Sequence, residues 1–217
     1  RQRQMCIRDR PCPAPRITVL GIGNLLWADE GFGVRCVEAL QQRFEFEDNV
    51  TLIDGGTQGL YLIQHVQQAD YLLIFDAVDY NLAPGTLKCV ADDEVPRFLG
   101  VKKLSLHQTG FQEVLMLAQL TGHFPQRVLL IGCQPERMDD YGGSLRPSVK
   151  AALELALDTA VDTLADWGAA PRPRATALAD DEAVTLAHLE LQRYESERPS
   201  EAVACRLGDE RILARRR

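Results

Sequence analysis

Three polar residues stand where the sequence predicts loops at strand ends: Glu30, Asp76 and His107, separated by 46 and 31 positions. Two carboxylates and one imidazole make a donor set for a borderline divalent metal such as nickel or zinc, with water or a substrate atom completing the coordination. Each residue also has a plainer use. Glu30 can cap a helix, Asp76 can accept hydrogen bonds at a strand end, and His107 can brace its own loop. Only a folded sheet can bring residues this far apart in sequence to one place, so the elements carrying them decide between these readings.

The other candidates have less behind them. His65 sits in a helical pattern, His123 follows Gly122 at a helix exit, and His188 lies near the C-terminus. None forms His-Glu-x-x-His. His107 alone combines a loop position with polar neighbours, Ser105, Gln108 and Thr109. The six cysteines contain no Cys-x-x-Cys, so a cysteine-held zinc or iron-sulfur cluster lacks the required spacing. Cys36, Cys89 and Cys133 fall in or beside apolar segments and read as small buried hydrophobes. Ser105, Ser144 and Ser148 lack a Gly-x-Ser-x-Gly elbow, and Cys133 is read more readily as packing than as a nucleophile. No residue is singled out as general base or nucleophile.

Glu30 is positioned by the stretch Ile17 to Glu38, ITVLGIGNLLWADEGFGVRCVE. Its apolar start predicts a strand over Ile17 to Ile22, its glycines a tight turn, and the spacing of Val34, Val37 and Leu40 a helix from Phe32 to Arg43. Open α/β sheets place their sites at this carboxyl end of a strand. Gly21-x-Gly23 invites a dinucleotide reading, but Leu26 stands where the third glycine belongs, and no Gly-x-x-x-x-Gly-Lys-Ser/Thr loop is present. Asp29 and Glu30 would also repel a phosphate; Asp29 suits a helix cap or a metal.

Further strands are predicted at Val50 to Asp54, Tyr71 to Phe75, Thr86 to Val90 (an antiparallel edge after Pro84-Gly85) and Arg127 to Gly132. Helices are predicted at Gly59 to Gln68, Gly110 to Leu120 with Thr109 as cap, and Val149 to Trp167. The fold class is α/β: a three-layer helix-sheet-helix domain around a five-stranded mixed, twisted sheet, phosphorylase- or hydrolase-like. Residues 1–15 read as a flexible lead and 16–168 as the domain. Residues 169–217 read as a linker, AAPRPR, and an extension with a further helix over Asp180 to Arg198. The formal charge of −7 gives no general attraction to nucleic acid, and no apolar run is long enough to insert in a membrane. The cytoplasm is the expected compartment.

The ordered segments Gly21-Ile22-Gly23-Asn24-Leu25-Leu26, Asp29-Glu30-Gly31, Gly33-Val34, Leu52-Ile53-Asp54-Gly55-Gly56-Thr57, Ile74-Phe75-Asp76-Ala77-Val78, Pro84-Gly85-Thr86 and Ser105-Leu106-His107-Gln108 resemble the hydrogenase maturation proteases. The likeness spans most of residues 17–165. It implies an endopeptidase, of the aspartic type, that removes a short C-terminal peptide from the large-subunit precursor of a nickel-iron hydrogenase after nickel insertion. It implies that Glu30, Asp76 and His107 contact nickel and that Asp54, Gly55, Gly56 and Thr57 serve substrate recognition. The nickel is expected to be presented by the precursor rather than held permanently, and the free enzyme is expected to be a monomer. Two alternatives fit the same residues: a noncatalytic nickel-sensing assembly chaperone, and a related peptide hydrolase with its own metal. The extension over 175–217 is expected to act in partner engagement, the competing reading being a docked terminal helix that stabilises the fold.

Overall fold

The computed structural model describes residues 14–92, 94–96, 106–179 and 181–198, with only the backbone for 106–109. Its centre is a five-stranded sheet in the order β3-β1-β4-β6-β5, formed by β1 (Ile17–Ile22), β3 (Val50–Gly56), β4 (Tyr71–Ala77), β5 (Leu87–Ala91) and β6 (Arg127–Cys133). The first four strands in that order run parallel, and β5 pairs antiparallel with β6 at the edge. The expected mixed sheet is therefore present, and the Pro84-Gly85 turn does feed an antiparallel edge strand. Two-residue strands β2 (Phe44–Glu45) and β7 (Arg172–Pro173) pair separately.

Side chains alternate across a strand, so each strand feeds two cores. Ile17, Val19, Leu73, Phe75 and Ile131 face α1 (Phe32–Arg43) and α4 (Pro147–Asp166), meeting Val37, Leu40, Val149 and Leu157. Leu20, Ile22, Leu72, Ile74 and Leu130 face the opposite layer, α2 (Ile63–Gln68) and α3 (Leu106–Leu120), meeting Val66, Val114 and Leu115. β4 is buried from Leu72 to Ala77 because helices cover both its faces. Each fully buried large side chain there contributes roughly 1.5–3 kcal/mol of transfer free energy.

Four details depart from the sequence reading. The second helix opens as a 3-10 turn, Gly59–Leu62, before α2. Cys89 is exposed, because β5 is an edge strand with Val90, not Cys89, on its covered side. α3 starts at Leu106, so Thr109 lies inside it and does not cap it. The linker and the described residues beyond it do not stand apart: Arg174 at the linker's end donates to the Gln41 and Phe44 carbonyls, and α5 (Leu191–Glu197) lies on α1 and α4.

Candidate functional site

The site is built at the carboxyl end of β1, where α1 approaches the sheet backbone to backbone. A Cβ on Gly33 would lie 2.3 Å from the carbonyl oxygens of both Ile22 and Phe75, and one on Gly21 would lie 2.5 Å from the Gly33 oxygen. At Gly23, with φ +130°, a Cβ would fall 1.8 Å from the Glu30 carbonyl oxygen. Glycine is needed at these positions because no side chain fits. The contact seats the Ala28–Gly31 turn against β4, whose next residue after Phe75 is Asp76.

Glu30 is half-buried, and desolvation holds its carboxyl above the ordinary glutamate range. It is not the cap of α1: the residue before that helix is Gly31, without a side-chain cap bond. Asp76 is 2% exposed, pairs in register with Gly132, and by alternation belongs to the sheet face covered by α3. His107 belongs to the first turn of α3 rather than to a loop, and its side chain lies outside the described residues. The second turn of that helix meets the 3-10 turn that follows β3, with Gly110 against Gly59. The structure thus brings Glu30 and Asp76 to one end of the sheet and sets the start of α3 beside it. Among the described residues, which exclude the His107 side chain, no group of three or more His, Cys, Asp or Glu forms a ready metal site.

Asp54-Gly55-Gly56 closes β3 instead of following it, and Thr57 is exposed just beyond. Gly23 N–H donates to the Gly56 carbonyl at 3.0 Å, tying this segment to the Glu30 loop. Burial pushes the Asp54 carboxyl up; the Gly56 N–H and the Arg35 charge pull it back, while the Glu38 charge adds to the rise.

Two residues matter more than the sequence reading gave them. Asp29 is fully buried and does not cap the helix. Its Oδ2 accepts the N–H groups of Glu136 and Arg137 at 2.9 and 2.8 Å, and its Oδ1 accepts that of Arg146 at 2.7 Å. It fixes the long 135–146 connection to the turn that carries Glu30. Gln134 does the same for the segment after β4, its Oε1 accepting from Tyr80 and Leu82 and its Nε2 donating to Asp79. A polar residue directly after a buried strand was the available signal for Gln134; nothing local distinguished Asp29 from Glu30. Cys133 is buried, and desolvation with the Asp29 charge pushes its thiol up to about 12, so it offers no thiolate at neutral pH. Among the described residues no helix is long and apolar enough to cross a membrane.

The sequence profile of the hydrogenase maturation proteases matches residues 34–163. The chain is 64% identical over 197 residues to the hydrogenase expression/formation protein HoxM of Cupriavidus necator, covering 91% of this chain and 98% of that one. It is 43% identical over 160 residues to the hydrogenase 2 maturation protease of Escherichia coli, covering 73% and 96%. The solved structure of the hydrogenase maturating endopeptidase HybD from E. coli superposes with a TM-score of 0.70 at 41% identity, covering 73% of this chain and 98% of that one. One expectation is corrected here: the family is not in general of the aspartic type.

Proposed function

This chain belongs to the hydrogenase maturation protease family and is an endopeptidase acting in hydrogenase maturation, and we propose that it removes the C-terminal peptide of a nickel-loaded hydrogenase large-subunit precursor. In this reading nickel is cargo carried by the substrate, met by Glu30, Asp76 and His107, with Asp54 to Thr57 recognising the precursor beside it. The observation that carries the reading is the contact of Gly33 with the Phe75 carbonyl, which seats the turn bearing Glu30 at the strand end bearing Asp76. Two carboxylates and an imidazole suit a borderline divalent ion, and a precursor without its metal would offer them nothing to hold. The free thiols at Cys36, Cys89 and Cys133 suit a reducing compartment, which favours the cytoplasm as the place of the reaction. The free enzyme is proposed to act as a monomer.

The test uses near-isosteric changes. Glu30→Gln and Asp76→Asn keep volume but remove a charged oxygen donor, and His107→Ala removes the imidazole. Loss of an outer partner of a metal site typically costs 10–100-fold, so loss of a direct contact is expected to slow cleavage by about a hundredfold or more. Cleavage is followed by mass spectrometry on nickel-loaded and nickel-free precursor, with circular dichroism as the folding check. Folded variants that cleave at the wild-type rate, or equal cleavage of the nickel-free precursor, would sink this reading. The noncatalytic chaperone is disfavoured by the endopeptidase relatives, and it would show as stable binding without turnover.

A further inference from the structure

The exposed apolar residues are not spread evenly. Of nine large apolar side chains exposed among the described residues, five sit on the segments that follow the carboxyl ends of the parallel strands: Leu26, Leu60, Tyr61, Leu82 and Tyr141. Among the described residues the opposite end of the sheet carries Leu120 alone. Tyr61 is 86% exposed, Leu60 56% and Tyr141 55%. Single exposed apolar residues need no explanation, but a set gathered at one end marks a contact surface.

The backbone beneath most of these side chains is anchored. Leu26 N–H donates to Asn24 Oδ1 at 3.0 Å, and its carbonyl accepts from Gly142 N–H at 2.7 Å. Tyr141 is bridged to Trp27 and packs edge-on against its ring at 5.3 Å. Leu82 N–H is held by Gln134, and Tyr61 N–H by the Gln58 carbonyl, while Gln58 itself donates to the carbonyls of Asp54 and Gly55. Backbone bonds thus fix the main chain that presents apolar groups to water, the arrangement expected where a partner covers them at a reduced cost in loop ordering.

We infer that Leu26 and Tyr141 on one side, and Leu60 and Tyr61 on the other, form the rim on which an apolar polypeptide segment of the substrate protein docks. The inference rests on the endopeptidase reading and adds where the substrate is gripped. Continuity supports this occupant: the Leu26 loop runs on into Asp29-Glu30, and Leu60-Tyr61 follow Asp54 to Thr57 with two residues between. A second copy of the chain seated here would cover the end of the sheet where Glu30 and Asp76 lie, blocking the peptide bond from reaching it. Aromatic anchors at such a rim carry a large share of binding energy.

The full chain and its Tyr61→Ser, Leu60→Ser and Tyr141→Ser variants are assayed with nickel-loaded large-subunit precursor, measuring Kd for binding and KM and kcat for cleavage. Leu155→Ser, on the outer face of α4, is the control for loss of an exposed apolar group. The expected result is a rise in Kd and KM of about tenfold for Tyr61→Ser and smaller rises for the other two, with kcat and Tm unchanged and no effect of Leu155→Ser. Unchanged Kd in the rim variants overturns the inference, as does an equal rise in Leu155→Ser. Wild-type dimers that the rim variants convert to monomers with KM unchanged would assign the surface to a second copy. Tighter binding after removal of residues 199–217 would assign it to the chain's own terminus. If the wild type binds the precursor without cleaving it, the cleavage reading fails while Kd still judges the rim; if it neither binds nor cleaves, both fail.

Discussion

Asp29 and Glu30 are adjacent carboxylates given different work by their surroundings. Asp29 accepts three backbone N–H groups from 136, 137 and 146, whereas Glu30 is half in water with its carboxyl raised by desolvation. Asp29→Asn keeps the shape but replaces one acceptor oxygen with an NH2 that faces an N–H donor. A buried hydrogen bond to a charged group left unmade costs about 2–3 kcal/mol. For a chain of this size that is a fall in Tm of about 5–10 °C. The loosened part should be local, so amide exchange is expected to quicken across 135–146 first, while cleavage falls because the Glu30 turn loses its anchor. Uniform exchange across the protein would instead make Asp29 a general core residue. The sequence could place both carboxylates in the right loop. It could not tell them apart, because the donors that distinguish them come from more than 100 positions away.

At the scale of elements, strands were the most legible part. β1, β4 and β6 are buried on two faces and so appear as nearly unbroken apolar runs. β3 was read too short because Gly55 and Gly56 look like a turn, yet pairing with β1 extends through Gly56 by way of a register shift. The start of α3 was read too late, since its first turn lacks a strong apolar stripe and Thr109 resembles a cap. The contact least visible in sequence, and most important for the site, is that between α1 and the sheet. Gly33→Ala must lift α1 away from the Ile22 and Phe75 carbonyls, which a Cβ would approach to 2.3 Å. Overpacking of this kind typically costs about 1–3 kcal/mol. The predicted signature is loss of cleavage well beyond the loss of folded protein, because the same displacement separates the Glu30 turn from Asp76. Cleavage that tracks the folded fraction in urea titrations would show that the spacing is not critical.

For the whole molecule, the decisive feature is that residues 181–198 of the extension pack on the fold. Arg35 and Glu38 form a 2.6 Å ion pair on α1 that is nearly inaccessible, and the extension covers it: Arg35 donates to the Leu189 carbonyl and lies over the Tyr194 ring, while Glu38 accepts from Leu191 N–H. The family profile ends at residue 163, before this cover begins, so residues of the shared core are buried by a segment outside it. The cover is also expected to be sensitive to acid. Burial pushes the Glu195 carboxyl up, but bonds from Lys150 and Ser144, with the Lys150 and Arg198 charges, outweigh it and leave the value below the ordinary glutamate range. A carboxyl depressed in this way stabilises docking above its unfolded pKa, and that contribution is lost as pH falls through the folded one. Amide exchange over 186–198 should therefore rise below about pH 4, ahead of global unfolding. The stronger test is a cycle between Glu38→Ala and a chain ending at Trp167. With the extension in place, removing Glu38 strands the buried Arg35 charge and is expected to cost about 3–5 kcal/mol, or to release the extension if docking is worth less. Without the extension the pair stands in water, where such pairs contribute about 0–1 kcal/mol, so the same substitution should cost little. The two changes must then be strongly non-additive in urea unfolding, and a simple sum of their separate costs would mean that the extension does not seal the pair.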